Sequence, residues 1–178
     1  MPNYSVYLST VSSTPSGNQA VPTDRSNLSY VKWNLNWDAI FRMENYKYQK
    51  CRLRIKLQSR SFAGNDTDWN TYMGYITCPL QSMTSGFGSY GTVISTAQAV
   101  GTPHTSTSVL NCIIADTTES LGVDVMPPQG NQEFFLRFNR IDLSSGLLIS
   151  NLTDYQVVLF FELYDEQGNP GSLWNPPF

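Results

Sequence analysis

The chain has 178 residues and a formal net charge of −3, so its overall charge does not point to a nucleic-acid-binding protein. Only 14% of the residues are charged, against roughly 25% in a typical soluble domain. A surface with so little charge is less costly to bury against other subunits. At this length a single domain can bury a sizeable core without disulfides or metals.

Apolar and polar residues alternate near the start of the chain, which is the pattern of a half-buried strand. Residues 3–10 are predicted to form a strand or an extended arm, and the Ser-, Thr-, Pro- and Gly-rich residues 11–27 a flexible linker. Residues 31–37 are predicted as a second strand. A helical turn is predicted over 38–43, with Asp38 as its N-cap.

The clearest alternation lies within residues 46–61, which are predicted as one long strand. Its apolar positions include Cys51, which we interpret as a small buried hydrophobe. Between the apolar positions lie Arg52, Arg54 and Lys56, so one face of this strand should carry a basic stripe. The stripe has three open interpretations: a solvated face, a contact with acidic patches of neighbouring subunits, or a contact with nucleic acid or lipid headgroups.

Six further segments have the composition and alternation of strands. They are residues 70–78, 93–100, 108–115, 122–126, 133–141 and 155–164. The last of these is apolar on both faces, which predicts a central strand or one covered by a partner. The sequence therefore predicts an all-β, antiparallel β-sandwich, a single jelly roll of about eight strands over residues 28–165.

Residues 166–178, here called the tail, differ from the rest because prolines and glycines exclude regular structure. Three large apolar residues nevertheless lie within the tail, namely Leu173, Trp174 and Phe178. Anchors of this kind occur where a segment packs against a protein surface. The tail is predicted either to fold back on its own domain or to insert into a neighbouring subunit.

The sequence contains no recognisable catalytic or metal-binding pattern. The chain has one histidine, His104, and three cysteines that cannot all pair, so we predict no catalytic residue, metal or cofactor. Residues 65–68 carry two carboxylates and are interpreted as a turn rather than a calcium loop. A loose acidic cluster, Asp116, Glu119 and Asp124, lacks an evident acid–base partner. No apolar run is long enough for a transmembrane segment.

Three segments together resemble the single jelly-roll minor capsid and penton proteins of large icosahedral double-stranded DNA viruses (nucleocytoplasmic large DNA viruses). Residues 30–41 form a strand that ends in Trp-Asp, residues 48–59 a long strand with charged outer positions, and residues 154–162 an apolar strand that ends in Phe-Glu. The resemblance covers roughly residues 28–165.

This resemblance implies a structural role without catalysis. The expected partners are copies of the same chain, as a pentamer or trimer, and the major capsid protein or other capsid proteins, with no specific nucleic acid. The expected location is the virion, after synthesis in the host cytoplasm. We expect subunit contacts at two sets of residues: Arg52, Arg54 and Lys56, and Leu173, Trp174 and Phe178.

Two other classes of jelly-roll protein remain open. A carbohydrate-binding module would stack sugars on surface aromatics, for which Trp69, Tyr72 and Tyr90 are candidates. A glycosidase or lyase would need carboxylates that converge in a cleft.

Overall fold

The computed structural model describes residues 2–11, 19–60, 73–83, 91–100, 112–140 and 154–164, and most of these described residues lie in strands. The strands in this part are β1 (Asn3–Ser9), β2 (Gln19–Ala20), β3 (Pro22–Asp24), β4 (Tyr30–Asn36), β5 (Lys50–Arg60), β6 (Met73–Cys78), β7 (Thr92–Val100), β8 (Cys112–Asp116), β9 (Val123–Val125), β10 (Asn131–Arg140) and β11 (Tyr155–Tyr164). Between β4 and β5 lie two short helices, α1 (Trp37–Ile40) and a 3₁₀-helix (Glu44–Lys47). The prediction of an all-β chain is confirmed.

The order of the strands is that of a jelly-roll sandwich. The first sheet runs β1–β11–β5–β8, with β9 also beside β5, and the second sheet runs β7–β6–β10–β4. The end of β7 pairs with the start of β8, so the two sheets are joined along one hydrogen-bonded path. Eight strands remain if the short β2, β3 and β9 are left aside. Taken from the outside of the sequence inward, they pair as β1 with β11, β4 with β10, β5 with β8 and β6 with β7, all antiparallel. This nested pairing is the jelly-roll topology, so the predicted fold is confirmed.

The core lies between the two sheets and takes alternate side chains from each strand. Leu53 and Ile55 of the first sheet are buried in the same cluster as Trp33 and Phe134 of the second sheet. The indole Nε1 of Trp33 donates a hydrogen bond to the carbonyl oxygen of Ser9 at 3.0 Å. Because this buried polar atom has a partner, the large Trp33 ring can fill the core without leaving a donor unsatisfied.

Two cysteines belong to this core as free thiols, Cys51 and Cys78. Burial raises the pKa of Cys78 to about 12. Burial also raises the pKa of Cys51. Both thiols are therefore protonated at neutral pH, and the prediction that Cys51 is a small buried hydrophobe is confirmed.

Helix α1 lies at the position of the predicted helical turn, but its N-cap differs. The side chain of Asn36 accepts the hydrogen bond from the backbone N–H of Ala39 and caps the helix. The predicted cap, Asp38, lies inside the helix and instead accepts hydrogen bonds from the backbone N–H of Gly130 and from Asn45. The prediction that Asp38 is the N-cap was wrong, because these long-range donors bind its carboxylate.

Three boundaries also differ from the predicted ones. β1 pairs along its whole length with β11, so residues 3–9 belong to the sandwich rather than to a separate N-terminal segment. Gln19–Ala20 and Pro22–Asp24 were predicted as linker but pair with β1 and β4 at the edges of the sheets. β5 begins later than predicted, because Glu44–Lys47 form the 3₁₀-helix.

Gly122 lets the segment before β9 lie directly on β5. It has a φ of +69°, and a Cβ built there would lie 2.6 Å from the backbone oxygen of Leu53. We expect Gly122→Ala to lower the free energy of unfolding by about 2–4 kcal/mol, from the left-handed backbone and the steric clash together. The measurement is urea denaturation of the wild type and the variant.

Gly130→Ala is the matched control, because Gly130 has a similar φ of +66° but no atom within 4 Å of the added Cβ. It should lose only the backbone contribution of about 1–2 kcal/mol. Equal losses in the two variants would show that the close approach to Leu53 is not required.

Candidate subunit-contact surface

The predicted basic stripe lies on the side of the first sheet that faces away from the core, here called the outer face. On β5 the side chains alternate, so that Leu53 and Ile55 are buried while Arg52 and Arg54 point outward. The outer face is formed by Asn3, Ser5, Tyr7, Lys50, Arg52, Arg54, Lys56, Asp116, Asp124, Val158, Phe160 and Glu162. The outward orientation predicted for the three cations is confirmed.

Asp124 of β9 balances two of the cations on this face. Arg52 Nε lies 3.0 Å from Asp124 Oδ1, and Lys50 Nζ lies 3.4 Å from Asp124 Oδ2. Partial burial raises the pKa of Asp124, but the hydrogen bond from Arg52 and the charges of Arg52 and Lys50 together lower it below its ordinary value. Asp124 is therefore ionised at neutral pH and neutralises part of the stripe.

The other two cations of the stripe also have acidic partners. Arg54 Nη1 lies 3.3 Å from Glu162 Oε2, and Arg54 Nε donates to the backbone oxygen of Ser120 at 3.1 Å. Lys56 Nζ lies 3.6 Å from Asp116 Oδ2. Four cations thus face three carboxylates of the same chain, so the stripe is largely neutralised within the subunit.

An aromatic ring covers the end of the stripe where β5 begins. Lys50 Nζ and the Arg52 guanidinium each lie 5.0 Å from the centroid of the Tyr164 ring. Burial and a hydrogen bond with Glu162 raise the pKa of Tyr164 above its ordinary value. The neutral ring therefore adds cation–π contacts that hold both basic side chains against the sheet.

An apolar strip lies beside the charged residues of the outer face and is formed by Tyr7, Val158 and Phe160. Tyr7 of β1 lies opposite Val158 of β11, and the Tyr7 side chain is 47% exposed. Val158 and Phe160 are partly buried. Phe160 also lines a shallow pocket of about 270 Å³ together with Arg54 and Glu162. An exposed aromatic within a neutralised charged border is typical of the centre of a protein–protein contact.

Replacing Asp124 with asparagine should lower the free energy of unfolding by about 1–2 kcal/mol at neutral pH, because Arg52 and Lys50 lose their counter-charge. The folded pKa of Asp124 lies below the unfolded value of about 3.9. Its stabilising contribution is therefore complete above that pH and is lost as the pH falls through the folded pKa. Urea denaturation over a pH series should show that the difference in the free energy of unfolding between the wild type and Asp124→Asn becomes smaller at acid pH.

Glu133→Gln provides the control, since the Glu133 side chain is 55% exposed and pairs with the partly exposed Lys32. This substitution should cost less than about 1 kcal/mol. If the free energy of unfolding of Asp124→Asn differs from that of the wild type by the same amount down to the lowest pH at which the protein folds, the assigned role of the ion pairs is wrong.

The remaining sequence candidates fall into two groups. Asp116 and Asp124, two members of the predicted loose acidic cluster, each pair with cations of β5. Glu119, the third member, is exposed. The other candidates lie outside the described residues, namely Leu173, Trp174 and Phe178 of the tail, the aromatics Trp69, Tyr72 and Tyr90, His104, and residues 65–68.

Sequence reasoning did not single out Tyr7, Val158 or Phe160 as contact residues. A signal for them was present, because the alternation in the first strand sets Tyr7 apart from the apolar residues beside it. The two apolar faces predicted for the last strand also marked Val158 and Phe160. What the sequence could not give is the register, which places Tyr7 directly opposite Val158.

Comparisons of the chain with protein-family models, with curated proteins and with solved structures found no match. Within the described residues, no helix is long and apolar enough to cross a membrane. Over the same residues, no three His, Cys, Asp or Glu side chains are grouped so that they could hold a metal ion.

Proposed function

We propose that this chain is a structural protein of an icosahedral virus shell, a minor capsid or penton protein that stabilises the shell through contacts between subunits. The observation that carries the proposal is the outer face of the first sheet, where an apolar strip lies beside cations neutralised by carboxylates of the same chain. The jelly roll that presents this face is an architecture of viral capsid domains.

The charge pairing favours burial of this face against another subunit. A cation without a partner would lose its hydration on contact and would have to find a carboxylate on the neighbour. Here Arg52, Arg54 and Lys56 already have carboxylates within 4 Å. The free energy of association can then come from the apolar strip, with the paired charges forming the polar border that fixes orientation.

The proposal includes a definite set of partners. Copies of the same chain, in a pentamer or trimer, would repeat one contact around a symmetry axis, so that modest contacts add up over a closed ring. The major capsid protein or other capsid proteins would meet the remaining surfaces, and the protein would reside in the virion. The chain would serve as a building unit and would carry no catalytic activity.

The mass of the purified full chain in solution tests this proposal. Native mass spectrometry and sedimentation velocity, over a wide range of protein concentrations, should show a discrete closed oligomer that dissociates on dilution. A trimer or a pentamer would support the proposed role. A chain that stays monomeric at every concentration, and that fails to associate with shells formed by a co-expressed major capsid protein, would contradict it.

A further inference from the structure

An exposed leucine lies in residues 117–122, here called the β8–β9 turn. Leu121 is 80% exposed, more than any other large apolar residue in the part of the chain that the structure describes. Glu119, two residues before it, is exposed as well. The turn therefore offers one large apolar side chain and one carboxylate to a partner.

Hydrogen bonds hold the β8–β9 turn on the outer side of β5. The backbone N–H of Ile55 donates to the Thr117 hydroxyl, and the N–H of Thr117 donates to the backbone oxygen of Ile55, both at 2.9 Å. Arg54 Nε donates to the backbone oxygen of Ser120 at 3.1 Å. Leu121 is thus presented at a fixed position, and a partner that covers it need not order the turn first.

The pocket that Phe160 lines on the outer face has room for such a side chain. Its volume is about 270 Å³, and Thr118 of the β8–β9 turn forms part of its wall. Because a cavity of roughly 150 Å³ can hold a benzene molecule, the four side-chain carbons of a leucine fit into this pocket. Leu121 is not among the residues that line the pocket of its own chain. Both the side chain and the pocket are therefore available to a second chain.

The charges of the turn complement those around the pocket. Four cations of the outer face meet three of its carboxylates, so one positive charge is in excess there. Arg54 lines the pocket, and Lys56 is the most exposed of the four cations, with half of its side chain accessible. Glu119 forms no ion pair with any residue that the structure describes. A second chain would bring Glu119 to this face as the fourth carboxylate, and opposite charges orient a contact.

We propose that the pocket beside Phe160 binds Leu121 of a second copy of this chain, with Glu119 of the same turn completing the charge balance. This inference rests on the proposed function and names the residues that meet in the subunit contact. In a trimer or pentamer each subunit would give its Leu121 to one neighbour and its pocket to the other, which is the arrangement of a head-to-tail contact that closes into a ring.

Cross-linking between two single-cysteine variants of the full chain tests the contact directly. One chain carries Leu121→Cys, and a chain of different mass carries Ser5→Cys at an exposed residue of the pocket. The two chains are mixed, assembled and oxidised, and the peptides linked through the introduced cysteines are quantified by mass spectrometry. Each chain carries only one of these cysteines, so a disulfide between them joins two chains.

The control pair is Leu121→Cys with Val93→Cys, since Val93 is 49% exposed and belongs to the second sheet. The pair with Ser5 should form at least about ten times more disulfide than the control pair, because the contact holds the two cysteines at a high local concentration. Equal yields in an oligomer that still forms would overturn this inference and leave the proposed function standing.

The dissociation constant of the oligomer provides a second measurement. Leu121→Ala should raise it at least about ten-fold in sedimentation velocity, because the pocket then loses the side chain that fills it. Val93→Ala should change it less than about two-fold. An unchanged dissociation constant for Leu121→Ala would overturn the inference.

Two further outcomes separate this inference from the proposed function. If Leu121→Cys forms cross-links to a co-expressed major capsid protein and not to Ser5→Cys, the partner of the turn is not a second copy, and only the inference is wrong. If the wild-type chain stays monomeric and does not associate with shells, the proposed function is wrong, and this inference is wrong with it.

Discussion

Replacing Trp37 with alanine should lower the free energy of unfolding by about 3–5 kcal/mol, the largest stability change that we expect from a single substitution. The Trp37 side chain is fully buried. The centroid of its ring lies 5.6 Å from that of Phe134 in the second sheet and 5.5 Å from that of Phe161 in the first sheet. It also stacks on Phe41, with 5.9 Å between the ring centroids. Trp37 therefore joins the two sheets at the end of the sandwich, and its loss removes several aromatic contacts and leaves a cavity.

Urea denaturation measures the effect of Trp37→Ala, with Leu121→Ala as an apolar control. The Leu121 side chain is 80% exposed, so its truncation should change the free energy of unfolding by no more than about 0.5 kcal/mol. A loss of less than about 1 kcal/mol for Trp37→Ala would show that the two sheets hold together without this ring.

Introducing a carboxylate at Tyr7 should weaken assembly without unfolding the subunit. In Tyr7→Asp the new charge lies in the apolar strip opposite Val158, where contact with a neighbour would strip it of water. We expect the dissociation constant of the oligomer to rise by at least about thirty-fold, equivalent to the loss of a contact worth about 2 kcal/mol. Because Tyr7 is 47% exposed, the folded monomer should tolerate the change.

Val93→Asp is the control for Tyr7→Asp. Val93 is equally exposed, at 49%, and receives the same charge on the second sheet. Sedimentation velocity of both variants, with denaturation curves to confirm that each folds, separates assembly from stability. If Val93→Asp disrupts the oligomer and Tyr7→Asp does not, the second sheet forms the contact and the outer face of the first sheet is excluded.

The strands that could be predicted from the sequence are those whose burial alternates along their length. The pattern around Leu53 and Arg54 gave both the strand and its orientation, because a side chain on a pleated strand has only two directions to point. The bounds Tyr155–Tyr164 were also predicted correctly, although this strand is apolar on both faces. Nested pairing also follows from the fold class, since eight antiparallel strands in a sandwich have few arrangements.

The elements that were missed are held by partners far away in the sequence. No alternation of apolar and polar residues marks Gln19–Ala20 or Pro22–Asp24. They form strands because they pair with β1 and β4, respectively. Asp38 has the composition of an N-cap, yet its carboxylate binds Gly130, which is 92 residues away. Local patterns cannot reveal such contacts, because they depend on the folded arrangement of the whole domain.

The charge balance of the candidate contact surface could not be predicted from the sequence for the same reason. Arg52 is the neighbour of Asp124 only across the β5–β9 pair, and 72 residues separate them in the chain. From the sequence, the stripe could be located but its neutralisation could not. This difference changes its expected partner, because a neutralised face favours contact with another protein surface over contact with a polyanion.

Hydroxyl-radical footprinting of the full chain, with and without assembly, tests most directly whether the outer face is a subunit contact. Tyr7 and Tyr46 are similarly exposed in the monomer, at 47% and 53%, and Tyr46 lies in the 3₁₀-helix away from the outer face. We predict that assembly reduces the modification of Tyr7 several-fold and leaves Tyr46 unchanged. If Tyr7 is modified as readily in the assembled protein as in the dissociated protein, the outer face is not the contact and the proposed role loses its structural basis.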